Sequence, residues 1–288
     1  MKTLQEEQLQ HIAQRILDTV NPLAIICYGS RCTENKFWGT FVGEGAIINS
    51  VQSTYDLLVI IPNEGHSDFE VIDMIEQKFT APIGINCLAK RLHYVQETLK
   101  AGSRFYHAIL QQGRILYRST DVNLSSEIQL PAICVTNEWN RWFKQSQHFY
   151  ALASHAYTSS WYAQAIFLLH QALEHACVAL LRFFTGFHSN THNIARLLMM
   201  TETFSLAPRA IFPGKTKEEE ELLNLVNKAY SDSRYNETYE VAPEKINVVK
   251  NRVKSFLLVA DTLHKNGPRA LDEPMILYPV LANPLPAG

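Results

Sequence analysis

The sequence predicts an α+β protein in which an α/β unit with a mixed sheet is followed by an all-helical bundle. Up to about residue 120, short apolar runs bounded by Gly, Pro and Asn alternate with helical patterns, which indicates a layered sheet. From about residue 137 onward, the strong apolar patterns have the three- and four-residue spacing of helices. A length of 288 residues suits two domains, because single cores rarely grow beyond ~250 residues.

The first half is predicted to begin with a helix at 4–20, which Asn21-Pro22 ends. A buried strand at 23–28 then enters a tight turn at Gly29-Ser30, and a Gly-rich loop follows at 31–54, with a short hairpin or helix left open. The remaining elements are strands at 55–61, 82–89 and 114–117 and helices at 68–79, 91–101 and 104–112.

The second half is predicted to be a bundle, because each helix has an apolar stripe that needs a partner. The first helix carries an aromatic packing face, and Thr191 is the expected N-cap of a later one. We expect domains at 1–125 and 130–265, and a Pro-rich tail at 266–288. The predicted bundle helices include 159–186, 217–230 and 244–263, and the aromatic face comprises Trp139, Trp142, Phe143, Phe149 and Tyr150.

The composition disfavours several classes of function. Lys plus Arg number 26 against 28 Asp plus Glu, which argues against coating nucleic acid by bulk charge but leaves a local basic patch open. The five cysteines show neither a Cys-x-x-Cys pair nor zinc-finger spacing, which favours a reducing compartment. There is no signal-sequence pattern and no run of 18 apolar residues. We therefore expect a cytoplasmic protein that does not enter a membrane.

A glycine turn and one carboxylate mark the candidate site of the first half. Gly29 would let the backbone approach a phosphate closely, and Ser30 with adjacent amides could hold it. Asp56 lies at the start of the next strand, where residues two apart point to the same side and can share a metal ion. The residue two positions further is Leu58, so that this pair of acids is incomplete.

These segments, Ile-Ile-Cys-Tyr-Gly29-Ser30 and Tyr-Asp56-Leu-Leu58-Val-Ile, resemble the nucleotidyltransferase fold family. The signature of that family is a strand ending in Gly-Ser, followed by a strand reading Asp, apolar, Asp or Glu. The resemblance implies Mg²⁺ and a nucleoside triphosphate as cofactor and substrate, with Asp56 as the metal ligand of an active enzyme.

This chain departs from the signature in ways that place catalysis in doubt. The spacer between the two segments is long, and the nearest residue to a third acid is Asn86, which is neutral. A lone carboxylate is a poor anchor for a divalent cation, although Glu34 or Glu44 is a candidate replacement. The alternative is that these residues have no binding role: Gly29-Ser30 would form an ordinary turn, and Asp56 would be a turn or cap residue.

Three segments of the second half resemble the HEPN family, and they occur in the family's order over roughly 137–265. Gln171-Ala-Leu-Glu174 precedes an apolar run as in the family's second helix. The segment from His192 to Leu198 matches a His-x-x-x-x-Leu-Leu helix start, and Tyr230-Ser-Asp-Ser-Arg234-Tyr235 matches Tyr-x-x-x-Arg-Tyr. The resemblance implies a helical bundle that often dimerises and serves nucleotide-binding or RNA-cleaving roles.

RNA cleavage is disfavoured by the residue five positions after Arg234. The RNases of the HEPN family carry a His four to six residues after an Arg, whereas this chain has Tyr239, whose phenol holds its proton to ~pH 10. Arg182 and His188 have a permitted spacing, but they lie at the end of the wrong helix.

Binding is the remaining role for this segment. Arg234 can hold a phosphate, and Tyr230 and Tyr235 can stack on a base. Two alternatives stay open: Tyr235 packs in the bundle, and Arg234 pairs with an acid such as Asp232 or Glu237. Gln171 and Glu174 share one helix face, where a buried polar network is favoured over a ligand site.

We therefore predict a non-catalytic nucleotide- or RNA-binding protein, homodimeric through its helical half, with a degenerate nucleotidyltransferase site. Its phosphate and base contacts would be Gly29, Ser30, Arg234 and Tyr235. The alternative is an active Mg²⁺-dependent nucleotidyltransferase that uses Asp56 and an unrecognised acid. The two hypotheses differ in whether a second carboxylate lies within a few ångströms of Asp56.

Overall fold

The computed structural model describes residues 4–32, 36–41, 43–46, 53–79, 83–120, 122, 124 and 135–267. The chain divides near residue 132 into two compact units. The predicted Pro-rich tail beyond Gly267 and most of the predicted linker lie outside the described residues, as does Glu34.

The first unit is a mixed sheet with helices on it, as predicted. Its strand order is β3-β2-β1-β4-β5, and β6 pairs with β1; β4 and β5 are parallel, and the other pairs are antiparallel. The elements are α1 Leu4–Leu17, β1 Ala24–Cys32, β2 Lys36–Gly39, β3 Gly43–Ala46, β4 Ser53–Ile61, α2 Asp68–Glu76, β5 Ile83–Arg91, α3 Leu92–Lys100, α4 Arg104–Gln112 and β6 Arg114–Arg118.

The central strand β4 is buried on both faces, which explains its uninterrupted apolar run. On one face, Leu57 and Val59 join a core cluster to which α1 contributes Ile12 and Ile16 and α2 contributes Ile75. The helices α3 and α4 contact the sheet as well, through β1, β4 and β5. The polar Asp56 is therefore carried by a strand that is otherwise apolar and enclosed.

The predicted tight turn at Gly29-Ser30 is wrong. β1 continues through both residues to Cys32, and it pairs there with β2 on one side and with β4 on the other. A register shift between Cys27 and Gly29 leaves Tyr28 as the extra residue of a bulge. The chain changes partner at this bulge, because β1 pairs with β6 before it and with β2 after it. The hairpin left open for 31–54 exists as β2 and β3.

The second unit is a bundle built around one central helix, as predicted. Its helices are α5 Val135–Thr158, α6 Tyr162–Thr185, α7 Ile194–Thr201, α8 Ala207–Ile211, α9 Lys217–Tyr235 and α10 Pro243–Asn266. α6 contacts α5, α7, α9 and α10. By length and composition alone, α6 passes as a candidate membrane span, but 72% of its most apolar window is buried inside the fold, as in a core helix.

The helix ends follow the expected chemistry with one exception. Gly186 ends α6 in the left-handed region, with φ of 74°. The N-cap of α7 is Asn193, whose side chain accepts from the backbone N–H of Arg196, and not the predicted Thr191. Thr191 instead accepts from the N–H of Asn193, one step earlier in the same turn.

Candidate functional sites in the two units

In the first unit, Asp56 is held by a buried guanidinium. Nη1 of Arg31 donates to Oδ2 of Asp56 at 2.8 Å, and Nη2 donates to Oδ1 at 2.8 Å. The amide of Asn86, its partner in the parallel ladder with β5, also donates to Oδ1 at 2.7 Å. The side chains of Arg31 and Asp56 are only 3% and 1% exposed. This is a bidentate ion pair, the strongest geometry available to a guanidinium and a carboxylate.

Gly29 is required by the carboxylate of Asp56 and not by a turn. The two residues are partners in the antiparallel ladder of β1 and β4. A Cβ atom on Gly29 would lie 2.4 Å from Oδ2 of Asp56, closer than any real Cβ contact. The absence of a side chain at this position therefore makes room for the ion pair.

Ser30 is engaged in the same interior. It is 1% exposed, and its hydroxyl accepts from Nε2 of Gln5 on α1 at 2.9 Å. Because β1 is paired on both sides here, the local backbone is committed to the sheet. The structure thus brings Gly29, Ser30 and Asp56 together, as the sequence led us to expect, but inside a closed polar cluster.

The residues around Asp56 do not fit a Mg²⁺ site. Such an ion prefers several oxygen ligands, yet both oxygens of Asp56 already accept hydrogen bonds. The position of the second acid is filled by Leu58, which is completely buried. Over the described parts of the chain there is no group of three His, Cys, Asp or Glu that could hold a metal. The side chains of Glu34 and Glu44 lie outside that description.

In the second unit, the Gln-Ala-x-Glu segment of α6 forms a buried hydrogen-bond network, in agreement with the interpretation favoured from sequence. Nε2 of Gln171 lies 3.1 Å from Oε2 of Glu174 and 3.2 Å from Nδ1 of His170. Nε2 of His170 contacts the carbonyl oxygen of His192 at 2.9 Å. Oε1 of Glu174 contacts Nδ1 of His192 at 3.0 Å, which closes the ring of contacts.

This network fixes the tautomers of both histidines. A carbonyl oxygen only accepts, so Nε2 of His170 carries a proton, and Nδ1 accepts from Gln171. Burial lowers the pKa of His170, which favours the neutral ring. Glu174 accepts from Nδ1 of His192, so that the Nε2 atom of His192 is not used in the network. His192 itself is half exposed, at 49%.

A stacked column of rings and one cation extends from His192. The His192 ring stacks on Tyr230 at 4.1 Å and 12°, and the Arg234 guanidinium lies over Tyr230 at 4.0 Å. Two planar groups centred this close to one ring would overlap on the same face, so Tyr230 is sandwiched between them. Arg234 also lies 4.9 Å from the ring of Tyr235 and 5.7 Å from that of Phe167. We call His192, Tyr230, Arg234 and Tyr235 the stacking column.

The end of the column is open to solvent. Tyr235 is 77% exposed, which excludes the alternative that it packs in the bundle. Nε of Arg234 donates to the carbonyl oxygen of Tyr230 at 2.6 Å, and none of the ion pairs among the described residues joins Arg234 to Asp232 or Glu237. Arg234 and Tyr235, the two residues of this unit that are predicted to contact a ligand, are therefore adjacent and exposed.

The environments of Tyr239, Arg182 and His188 do not favour RNA cleavage. Burial, with a smaller effect of Asp232, raises the pKa of Tyr239 to about 12, which makes its phenol a poor acid or base near neutrality. Arg182 and His188 both lie beside the carboxylate of Glu138, at 3.3 and 3.7 Å. Their spacing in the sequence thus reflects a shared ion-pair partner.

Sequence reasoning missed Arg31 and the role of His192. Arg31 lies two positions after Gly29, so the two residues are on the same side of a continuous strand. This spacing was the signal for Arg31, but it can be used only once the strand is known to continue beyond Gly29. In the sequence, His192 was recognised only as the first residue of a segment that resembles a HEPN helix start. Its contact with Tyr230 joins positions far apart in sequence, and no local pattern reports such a contact.

The comparisons with known proteins concern both units. Residues 139–263 match the model of the HEPN domain family. An archaeal HEPN homologue of known structure is 22% identical, covers 44% of this chain and 97% of its own, and has a TM-score of 0.33. A nucleotidyltransferase-like protein from Exiguobacterium sibiricum 255-15 is 11% identical over 91% of this chain and 77% of its own, with a TM-score of 0.31. No curated protein matches the sequence.

The predicted fold class is confirmed: a mixed sheet with helices, followed by a helical region that matches HEPN. The three segments that suggested this family, at 171–174, 192–198 and 230–235, all fall inside the match. In the structure they contribute to one network and one stacking column. The second unit of this chain thus contains the region that matches the HEPN domain family, and we call it the HEPN unit.

Proposed function

We propose that this protein binds a nucleotide or RNA through its HEPN unit and that its first unit is a nucleotidyltransferase-like domain without catalytic activity. The observation that carries the binding role is the stacking column, which ends in an exposed tyrosine next to an exposed arginine. The observation that carries the loss of catalysis is the pairing of Asp56 with Arg31.

The column offers the two contacts that a nucleotide needs. A base can stack on the exposed ring of Tyr235, a contact worth about 1–3 kcal/mol per base and tolerant of base identity. The guanidinium of Arg234 is held against Tyr230 and Tyr235, so that less side-chain entropy is lost when it binds a phosphate. The ring of His192 supports Tyr230 from the other side.

In the first unit, the positive charge that a metal would supply is already present as Arg31. A divalent ion at Asp56 would have to break a bidentate pair and leave a guanidinium buried without its partner, which costs about 3–5 kcal/mol. The active alternative needs a second carboxylate close to Asp56, and Arg31 and Asn86 occupy its oxygens instead. Loss of Mg²⁺-dependent nucleotide transfer on Asp56→Asn would support that alternative.

Fluorescence anisotropy with a labelled short RNA, and competition by ATP, tests the binding role. We expect Tyr235→Ala to weaken binding about 5- to 150-fold, the equivalent of about 1–3 kcal/mol. Arg234→Ala should weaken it as well. Phe69→Ala is the matched control, because Phe69 is an aromatic residue of similar exposure, 68%, in the other unit. Unchanged binding in both column variants would overturn the proposal.

RNA cleavage is a second candidate, favoured by one observation. The Glu174–His192 pair leaves Nε2 of His192 outside the network, where it could accept the proton of a ribose 2′-hydroxyl. It ranks second because the ring of Tyr230 lies between His192 and Arg234. The test is incubation of RNA with the protein in EDTA. Cleavage that is lost in His192→Ala and retained in His188→Ala would establish this activity.

The homodimer and the cytoplasmic location stay predictions. Two exposed apolar residues on α10, Val248 and Leu258, and Leu152 on α5 offer a candidate surface for self-association. Light scattering after gel filtration measures the oligomeric state. A monomer at micromolar concentration would contradict the predicted dimer.

A further inference from the structure

The strand β6 forms an exposed edge of the sheet in the first unit. Among the described residues it pairs with β1 on one side, and no strand lies on its other side. Every residue of β6 is at least partly exposed, whereas all but one of those in β4 are buried. Ile115 of β6 is 53% exposed. An exposed edge with an apolar side chain favours pairing with a further segment.

The strand β5, another edge of the same sheet, is protected in a way that makes the contrast clear. The backbone N–H of Cys87 donates to Oε1 of Glu76 on α2 at 3.1 Å, so a carboxylate occupies a group that an added strand would use. The exposed residues of β6 are instead Arg114, Ile115 and Arg118, an apolar side chain between two cations. This edge therefore suits a segment that is apolar in its middle and acidic at one end.

An apolar cavity of about 130 Å³ lies beside β6. Ile115 lines it together with Ile26, its ladder partner on β1. An apolar cavity of roughly 150 Å³ accepts a group as large as benzene, so this one can take an aliphatic side chain. We call it the edge cavity, and its lining residues are Ala24, Ile26, Leu110, Ile115, Arg118 and Leu124.

The sequence beyond Gly267 contains a segment of matching chemistry. Residues 275–278 read Met-Ile-Leu-Tyr and lie between Pro274 and Pro279. The tripeptide Ile-Leu-Tyr at 276–278 is the same as that at 115–117 in β6, so it has the same preference for a strand and the same alternation of side chains. Proline is tolerated at the ends of an edge strand. We call 275–278 the tail segment.

The charges next to the tail segment complement those of β6. Asp272 and Glu273 come directly before Pro274. Because β6 begins at Arg114 and ends at Arg118, these acids would meet a guanidinium whether the added strand is parallel or antiparallel. Exposed ion pairs contribute little affinity, so the charges select the segment and the apolar side chains provide the binding energy.

The tail segment follows the last described residue closely. Residues 268–274 form the tether between Gly267 and Met275, and it can span at most about 28 Å. A tether that spans the distance to its site raises the effective concentration of the segment to the millimolar range. A second copy of the chain at micromolar concentration cannot match this, which favours the tail of the same chain as the occupant.

We propose that the tail segment pairs with the open side of β6 as an additional strand and inserts one apolar side chain into the edge cavity. In strand addition, backbone hydrogen bonds give affinity, and pockets for alternate side chains give specificity. This inference goes beyond the proposed function, because neither a nucleotide nor RNA takes part in the contact.

Hydrogen–deuterium exchange of the full chain, followed by mass spectrometry, tests the contact from both sides. We expect Ile115→Arg to make the amides of 275–278 exchange about tenfold faster, and Ile276→Asp to do the same for the amides of β6. The matched control is Leu285→Asp, an equivalent change in the same tail outside the segment, which should alter neither. Since Ile115 is exposed and Ile276 lies outside both described units, neither variant removes a core side chain.

Cross-linking then identifies the surface and the chain that are contacted. With the photoreactive residue benzoylphenylalanine in place of Tyr278, we expect cross-links to β6 or α4 within a single chain. Cross-links elsewhere in the chain, or a covalent dimer, would overturn the proposal. Exchange of residues 275–278 in the wild type at the rate of an unstructured peptide would overturn it as well.

Discussion

At the scale of single residues, the first unit depends on an ion pair that water does not reach. A buried pair contributes little to net stability when both partners are present, but removal of one partner leaves an uncompensated charge. Arg31 and Asp56 meet this description, since both are almost completely buried and joined by two hydrogen bonds. Asn86 alone, a neutral amide, cannot replace the guanidinium.

A double-mutant cycle measures this dependence. We expect Arg31→Leu and Asp56→Leu each to lower the free energy of unfolding of the first unit by about 3–5 kcal/mol, because each leaves a buried charge. The double variant should lose less than the sum of the two, with a coupling of about 1–3 kcal/mol. Urea unfolding provides the measurement. Additive losses would contradict the account of the pair.

Gly29→Ala tests why a glycine occupies this position of β1. The new Cβ atom would lie 2.4 Å from Oδ2 of Asp56, so the carboxylate has to move away from Arg31. We expect a loss of about 2–4 kcal/mol in urea unfolding. Gly65→Ala is the control, because no atom lies within 4 Å of its added Cβ and only its φ of 98° opposes the change, at about 1 kcal/mol. Equal losses in both variants would refute the role of Asp56.

The buried histidine of the HEPN unit predicts loss of stability in acid. Burial lowers the pKa of His170 below its usual value, as it does for His175 and His264. Below about pH 6.5 the unfolded chain therefore binds protons that the folded chain does not, so stability falls as the pH falls. His170 alone contributes a slope of up to about 1.4 kcal/mol per pH unit.

His170→Gln should reduce this slope without removing it, since the other two histidines remain. The measurement is urea unfolding of both proteins at several pH values between about 7.5 and 5. The groups that face the ring, Gln171 and Glu174 on α6, His192 before α7 and Tyr230 on α9, are unchanged in the variant. An identical slope in the two proteins would show that His170 does not carry the effect.

The residues of these sites could be predicted only in part from the sequence. Asp56 and the missing acid at Leu58 were predictable, because the two-residue period of a strand places both on one side. Arg31 was not, because Gly29-Ser30 favoured a turn and the continuation of β1 depends on pairing with β2 and β4. The contact of His192 with Tyr230 depends on the packing of α7 and α9 around α6, which periodicity does not fix.

At the scale of elements, the turn between α5 and α6 stores conformational strain. Ser160 occupies the left-handed region, which costs an ordinary residue about 1 kcal/mol relative to glycine. We expect Ser160→Gly to raise the free energy of unfolding of the HEPN unit by about 0.5–1 kcal/mol. Ser159→Gly, one residue earlier, should not raise it. A destabilised Ser160→Gly would contradict the strain at this turn.

Most elements were predictable because their patterns are local. The buried run of β4 and the apolar stripe of α6 can be recognised from the spacing of apolar residues in the sequence. The capping box of α2, formed by Ser67 and Glu70, lies within two residues of the predicted start of that helix. The elements that were left open are those too short to show a period, since β2 and β3 have four residues each. β2 and β3 are short strands in a Gly-rich segment, and they form by pairing with β1 and with each other.

At the scale of the whole molecule, positive and negative charges are nearly balanced, and the two units differ in how they use their local charges. The net charge is −2, so the proposed RNA binding would depend on local groups and on stacking. The first unit has neutralised its own carboxylate with an internal cation, and the HEPN unit exposes an aromatic and cationic surface. Both features support the proposed binding of nucleotides without a metal ion.

The most direct test of this account is RNA binding measured by anisotropy in Mg²⁺ and in EDTA, for the wild type, Asp56→Asn and Tyr235→Ala. The account predicts equal affinity in the two buffers, no direct loss in folded Asp56→Asn, and about 5- to 150-fold weaker binding in Tyr235→Ala. Binding that requires Mg²⁺, disappears in a folded Asp56→Asn variant and is unaffected by Tyr235→Ala would contradict it.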